Sequence, residues 1–213
     1  MLFVSSVRKI WRKYTGGIYR ALMLSDLFEH ANFAYIFIAA VLFIAGIYFA
    51  PAIVDRNICW MLVYPRWMAK LMEKYFSTRM GFFPMFIIIL LLNNVSLFTG
   101  FLSGFLVILP FVLAFLTGFH VAVIGYDLMG WQGLWHMLVN PVAWLEFPAA
   151  WISFSLGIRL AGEIVVHQNF HSAVNLFHVL LPIYFKYVFS LLLVAALLES
   201  ALIILAERHK NQP

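Results

Sequence analysis

GFFPMFIIILLLNNVSLFTGFLSGFLVILPFVLAFLTGFHVAVI, Gly81 to Ile124, contains no Asp, Glu, Lys or Arg. A bilayer core about 30 Å thick is crossed by roughly 20 apolar residues in a helix, so this stretch is long enough for two spans. It predicts helices at about 82–102 and 106–128 with a turn near Gly104; one bent element turning later, at Pro110, is the other reading. Outside it the chain repeats the pattern. An uncharged run over 32–54 predicts a first span, 141–161 a fourth and 177–206 a fifth. Asn140 followed by Pro141 reads as an N-cap and a first helical position. Pro182 reads as part of the first turn of the last span.

Composition agrees. Of 213 residues, 64% are hydrophobic and 11% charged, and mean hydropathy is +0.94. A soluble domain is about half apolar and a quarter charged, so this chain has too little polar surface for water. The expectation is an all-α membrane bundle of about five transmembrane helices, one domain over 1–213, multi-pass in the cell membrane, with the lipid bilayer as its first partner. With five spans the two ends lie on opposite sides.

The net charge of +5 is concentrated at Arg8, Lys9, Arg12, Lys13 and Arg20, and again at Arg56, Arg66, Lys70, Lys74 and Arg79. Both groups flank apolar spans and read as anchors to anionic headgroups rather than as a nucleic-acid surface. The charge does not set the orientation, because the two groups must face opposite sides. The N-terminus reads as an uncleaved anchor, since the apolar run after its basic residues is of full spanning length. Cys59 is the lone cysteine, so no internal disulfide forms.

Two segments read as amphipathic helices at the interface. In residues 7–22, Val7, Ile10, Trp11, Tyr14, Ile18 and Leu22 recur at helical spacing. In residues 65–76, Met68, Leu71, Met72 and Tyr75 share a face, with Trp60, Trp67 and Tyr75 suited to the headgroup level. Packing of the first on the bundle itself is the alternative.

Lipid offers no hydrophobic drive for helix association, so small residues at four-residue spacing mark close approaches. Gly100 and Gly104 form one series, Ala114, Gly118 and Ala122 a second, and Ala149, Ser153, Gly157 and Ala161 a third. They predict tight internal packing or a homodimer face.

Polar residues inside spans need partners. Asn93 and Asn94 interrupt the second span, and Glu146 and Glu199 lie in the fourth and fifth. They are read as an intramembrane polar centre, either fixing helices or lining a path. Arg159 and Lys186 are candidate partners for the carboxyls. Pro148, two residues after Glu146, removes a backbone hydrogen bond, frees the carbonyl of Trp144 and predicts a helix kink. Glu163, His167 and His171, at i, i+4 and i+8, share one face if helical, and His178 falls in the same arc. Such a face can hold a divalent metal such as Zn²⁺. The alternatives are exposed interfacial histidines or a pH-sensitive switch. No nucleophile elbow, phosphate-binding loop or dinucleotide fingerprint is present, so no catalytic residue is assigned.

The stretches LLNNVSLFTGFLSG, FLTGF, LEFPAAWISFSLGIRLA and LLLVAALLESALI, taken in order, resemble the stage II sporulation protein M (SpoIIM-like) family of integral membrane proteins. The likeness covers residues 33 to 206 and falls on Asn93, Asn94, Gly100, Gly104, Gly118, Glu146, Pro148, Gly157 and Glu199. Two places depart from it: Val142 and Ala143 stand where His-Gly is common, and Thr117 precedes Gly118 where Asn is common. The resemblance implies a five-span bundle. It also implies a non-enzymatic scaffold for membrane or envelope proteins, with sporulation members holding peptidoglycan-degrading partners. A transporter or channel-like protein is the alternative the polar centre allows, and a metal-dependent membrane enzyme the one the histidines allow.

Overall fold

The computed structural model describes residues 32–76 and 81–210. The expected helix at 7–22 and the basic cluster it carries, with Arg79, lie outside the described residues.

The described chain is helical, with no strand. In order, the helices are α1 Phe33–Asp55, α2 Cys59–Phe76, α3 Phe82–Leu102, α4 Leu109–Met129, α5 Trp131–Val139, α6 Ala143–His167, α7 Phe170–Ile183 and α8 Ser190–Lys210. A 3-10 turn, Ser103–Leu106, extends α3, and a π-helical segment, Tyr184–Phe189, joins α7 to α8. Five stretches are long and apolar enough to cross a membrane: Phe33–Asp55, Phe82–Leu106, Leu109–Met129, Ala143–His167 and Phe170–Ala206. The expected all-α membrane bundle with five spans is therefore present.

Local chemistry sets the ends. Asn32 opens α1, its Oδ1 accepting the Ala34 N–H at 3.1 Å. The hairpin between α3 and α4 turns at Ser103–Leu106, where the Ser103 hydroxyl donates to the Gly100 carbonyl at 2.6 Å. Val107 then takes φ 43, a region a β-branched residue rarely enters, and Pro110 sits in the first turn of α4. The turn is thus the one expected near Gly104, not a later one at Pro110.

Three boundaries differ from the sequence reading. α6 starts at Ala143, not Pro141, because α5 occupies the chain up to Val139. Asn140 closes α5, and its Oδ1 accepts the Val142 N–H at 3.0 Å. The last span starts at Phe170 rather than 177, because Asn169 caps α7 by accepting the His171 N–H at 2.9 Å. Pro182 therefore falls near the end of α7, just before the π-helical segment, not in a first turn. Finally, α2 extends back to Cys59 with Pro65 inside it.

α6 is the axis of the bundle. In its most apolar stretch 61% of residues are buried inside the protein, against 28–33% for the other spans. Its small residues meet the hairpin arm: a Cβ on Gly157 would sit 2.7 Å from the Gly100 carbonyl oxygen, and one on Gly104 would strike the Gly157 carbonyl. A second close crossing joins α1 and α4. There a Cβ on Gly118 would collide with the backbone of Phe43, and one on Gly46 with that of Phe115 and Phe119. All three small-residue series are spent on internal packing, so they do not supply a homodimer face.

Candidate functional site

The polar centre forms where α3, α6 and α8 meet. On α3, Met85 and Ile89 pack against Ala196 and Ile203 of α8. Asn93 continues that stripe by one turn, and Glu199 falls between Ala196 and Ile203 on the facing one. Glu146 enters from the first turn of α6, where unsatisfied N–H groups favour an acidic side chain. The Asn93 amide donates to Glu146 Oε1 at 2.6 Å, and Glu199 lies on α8, which packs against both α3 and α6. Asn93, Glu146 and Glu199 are thus brought together, each half-buried.

Asn94 points to a different partner. Its side-chain oxygen and its backbone carbonyl both accept from the Tyr184 hydroxyl, at 3.0 and 3.2 Å. Tyr184 is fully buried at the start of the π-helical segment and stacks on Phe101 at 5.6 Å. One turn below Asn93, the Leu97 carbonyl accepts from Ser153 of α6 at 2.6 Å. The two adjacent asparagines therefore tie α3 to two different elements. Neither Tyr184 nor Ser153 was marked by sequence pattern as a partner; the signal available was only that two buried amides required donors and acceptors.

Glu146 Oε1 is held by the Asn93 amide, and the Lys186 ammonium lies 5.2 Å over the Tyr187 ring. α6 runs as one α-helix from Ala143 to His167 with Pro148 inside its first two turns, and the helix continues beyond it.

The acidic and histidine residues at the other end do not assemble as one face. Gln168 adopts a left-handed conformation, φ 46 and ψ 29, and ends α6. His171 and His178 consequently belong to α7. Glu163 keeps His167 Nε2 at 3.5 Å and accepts a hydrogen bond from the Ser172 hydroxyl, while His178 Nδ1 lies 2.8 Å from the Val174 carbonyl. Among the described residues no three of His, Cys, Asp and Glu are grouped to hold a metal ion. Glu163 and His167 alone give two donors, where a zinc site uses three or four.

A further polar cluster was not legible in the sequence. Arg66 of α2 grips Asp127 of α4 in a two-pronged pair, Nε to Oδ2 at 2.8 Å and Nη2 to Oδ1 at 2.9 Å, and donates from Nη1 to Asn57 Oδ1 at 3.0 Å. Next to it the Tyr126 hydroxyl donates to Asp55 at 3.1 Å. The hydrogen bonds it donates to Asp127 hold the Arg66 guanidinium above its ordinary pKa. Ends of α1 and α4 and the middle of α2 are thereby joined at one side of the bundle.

Fold and site together define an all-α multi-pass membrane protein with a polar centre inside its spans. No protein-family model, curated protein or solved structure matches the chain.

Proposed function

We propose that this protein is a non-enzymatic, SpoIIM-like scaffold of the cell membrane, serving as an assembly partner for other membrane or envelope proteins. The observation that carries this is how its intramembrane polar groups are used. Asn93 is bonded to Glu146, Asn94 to Tyr184 and Ser153 to Leu97, each across helices. Groups spent in this way fix a packing arrangement, which is what a scaffold requires. The likeness of LLNNVSLFTGFLSG and LEFPAAWISFSLGIRLA to the SpoIIM-like pattern supports the same reading. The test is recovery of tagged protein from its native membrane after gentle solubilisation. A second protein in fixed stoichiometry is expected; recovery of this chain alone after in-membrane cross-linking would sink the proposal.

A transport role is the second reading. It is favoured by two half-buried carboxyls, Glu146 and Glu199, within the spans. It predicts ion or solute flux across liposomes containing the pure protein. The unbroken α6 weighs against it, since midplane sites in transporters are typically built on discontinuous helices. A metal-dependent enzyme is not carried forward, because the break at Gln168 separates its intended ligands.

A further inference from the structure

α2 and α5 are the two described helices that do not span, and each presents an apolar face that the bundle leaves open. On α2, Trp60, Val63, Tyr64 and Trp67 recur at i, i+3, i+4 and i+7, and all are more than half exposed. On α5, Trp131, Trp135, Leu138 and Val139 recur at i, i+4, i+7 and i+8, with exposures of 70, 67, 40 and 58%. Both helices are anchored to the bundle: Leu62, on the side of α2 away from its exposed face, and Leu134, at the margin of the α5 face, are buried in one cluster with Ala50, Phe119, Ala122 and Val123 of α1 and α4. Each helix thus has a bundle face and an unpartnered apolar face. Gln132 and His136 give α5 a polar edge; Lys70 and Glu73 give one to α2.

Both helices lie at the same side of the membrane. α2 follows the end of α1 and α5 follows the end of α4, and those two ends are joined by Arg66 to Asp127 and by Tyr126 to Asp55. The connections also fix their depth. Only Gly130 separates α5 from the end of a span, and only residues 140–142 separate it from the start of the next. α5 is therefore held at the edge of the hydrocarbon, and its apolar face runs on from the lipid-facing sides of α4 and α6. Five of the seven tryptophans, Trp60, Trp67, Trp131, Trp135 and Trp144, are exposed at this end; the Trp144 indole donates to the Leu138 carbonyl at 3.0 Å and so links α6 to α5. Tryptophan is the residue most at home between headgroup and acyl chain. Arg56 and Lys70 stand beside these faces, complementary to anionic headgroups.

We infer that α2 and α5 are half-membrane helices, fixed to α4 as one rigid platform, whose two tryptophan-bearing faces are buried in the headgroup–acyl boundary of a single leaflet. The occupant of these faces is lipid.

Spin labels on single cysteines test this in vesicles of phosphatidylcholine and phosphatidylglycerol. In a Cys59→Ser background, Val63→Cys, Trp67→Cys, Trp135→Cys and Val139→Cys carry labels on the two faces, and Gln132→Cys and Glu73→Cys on the polar edges. Face labels are expected to collide with oxygen more than with a water-soluble nickel complex, at a depth of roughly 5–10 Å; edge labels should show the reverse. Face labels as open to nickel as Gln132→Cys would mean that these helices stand in water. Labels shielded from both reagents would mean that a second copy covers the faces. Either result overturns the inference. Unmodified protein provides an independent reading. Its tryptophan fluorescence should be quenched more by lipids brominated near the headgroup end of the chain than by lipids brominated near the methyl end, and the opposite order would count against the platform.

Discussion

Removing the bond between Asn93 and Glu146 is the perturbation that bears most directly on the scaffold reading. Interhelical hydrogen bonds in membranes average about 0.6 kcal/mol and reach about 1.7. The Asn93–Glu146 bond is short, 2.6 Å, and half-buried, which puts it in the upper part of that range. Glu146→Gln keeps an acceptor facing Asn93, so it should lower stability by less than about 1 kcal/mol. Asn93→Leu is harsher. It leaves the carboxyl of Glu146 without its donor in apolar surroundings, which costs about 1–3 kcal/mol. Since about 1.4 kcal/mol is a factor of ten, the unfolding constant should rise by roughly five- to a hundredfold. The double variant should be milder than the sum of the singles by about 0.6–1.7 kcal/mol, because the second change removes a group already orphaned. Unfolding in mixed micelles by titration with a denaturing detergent, with helix content as readout, measures all four corners of the cycle. Additivity within about 0.3 kcal/mol would refute the view that these residues hold helices together. So would an Asn93→Leu variant as stable as wild type that has nevertheless lost its biological activity, which would point to the transport reading.

Gly118→Ala should destabilise by about 1–3 kcal/mol despite the better helix propensity of alanine, because its Cβ meets the Phe43 backbone, which cannot swing aside; the same detergent titration measures it. Tyr184→Phe removes both bonds to Asn94 while keeping the stack on Phe101, so a loss of about 0.6–2 kcal/mol with unchanged helix content is expected from the same assay. Asp127→Asn breaks the two-pronged grip on Arg66 and should speed amide exchange in α2 selectively, leaving α6 protected, as hydrogen-exchange mass spectrometry would show.

The spans were legible because the requirement behind them is one-dimensional. Gly81 to Ile124 carries no charge, and any such stretch of that length must cross hydrocarbon twice. The small-residue series were legible for a similar reason, since four-residue spacing on a helix is a face wherever the helix goes. Helix ends were less so. Asn140 and Pro141 have the chemistry of a helix start, yet α5 precedes them and Asn140 ends it. α5 is only nine residues long, too short for a helical period to stand out, so nothing in the sequence separated it from a loop between spans.

Sequence by itself determined that the chain lives in a membrane, that it has five spans, and that Asn93, Asn94, Glu146 and Glu199 had to find partners there. It did so through cost: a polar group in lipid cannot be left unsatisfied. Which partners Asn93, Asn94 and Glu146 found depended on the rotation and crossing of helices distant in the chain, and local pattern does not encode these. Asn93 and Asn94 are neighbours, yet about 100° of helical turn sends one to Glu146 and the other to Tyr184. One left-handed residue, Gln168, divided the histidine series between two helices. Tertiary packing alone placed Arg66 on Asp127, 61 residues away, and turned the tryptophans of α2 and α5 outward at the same end of the bundle.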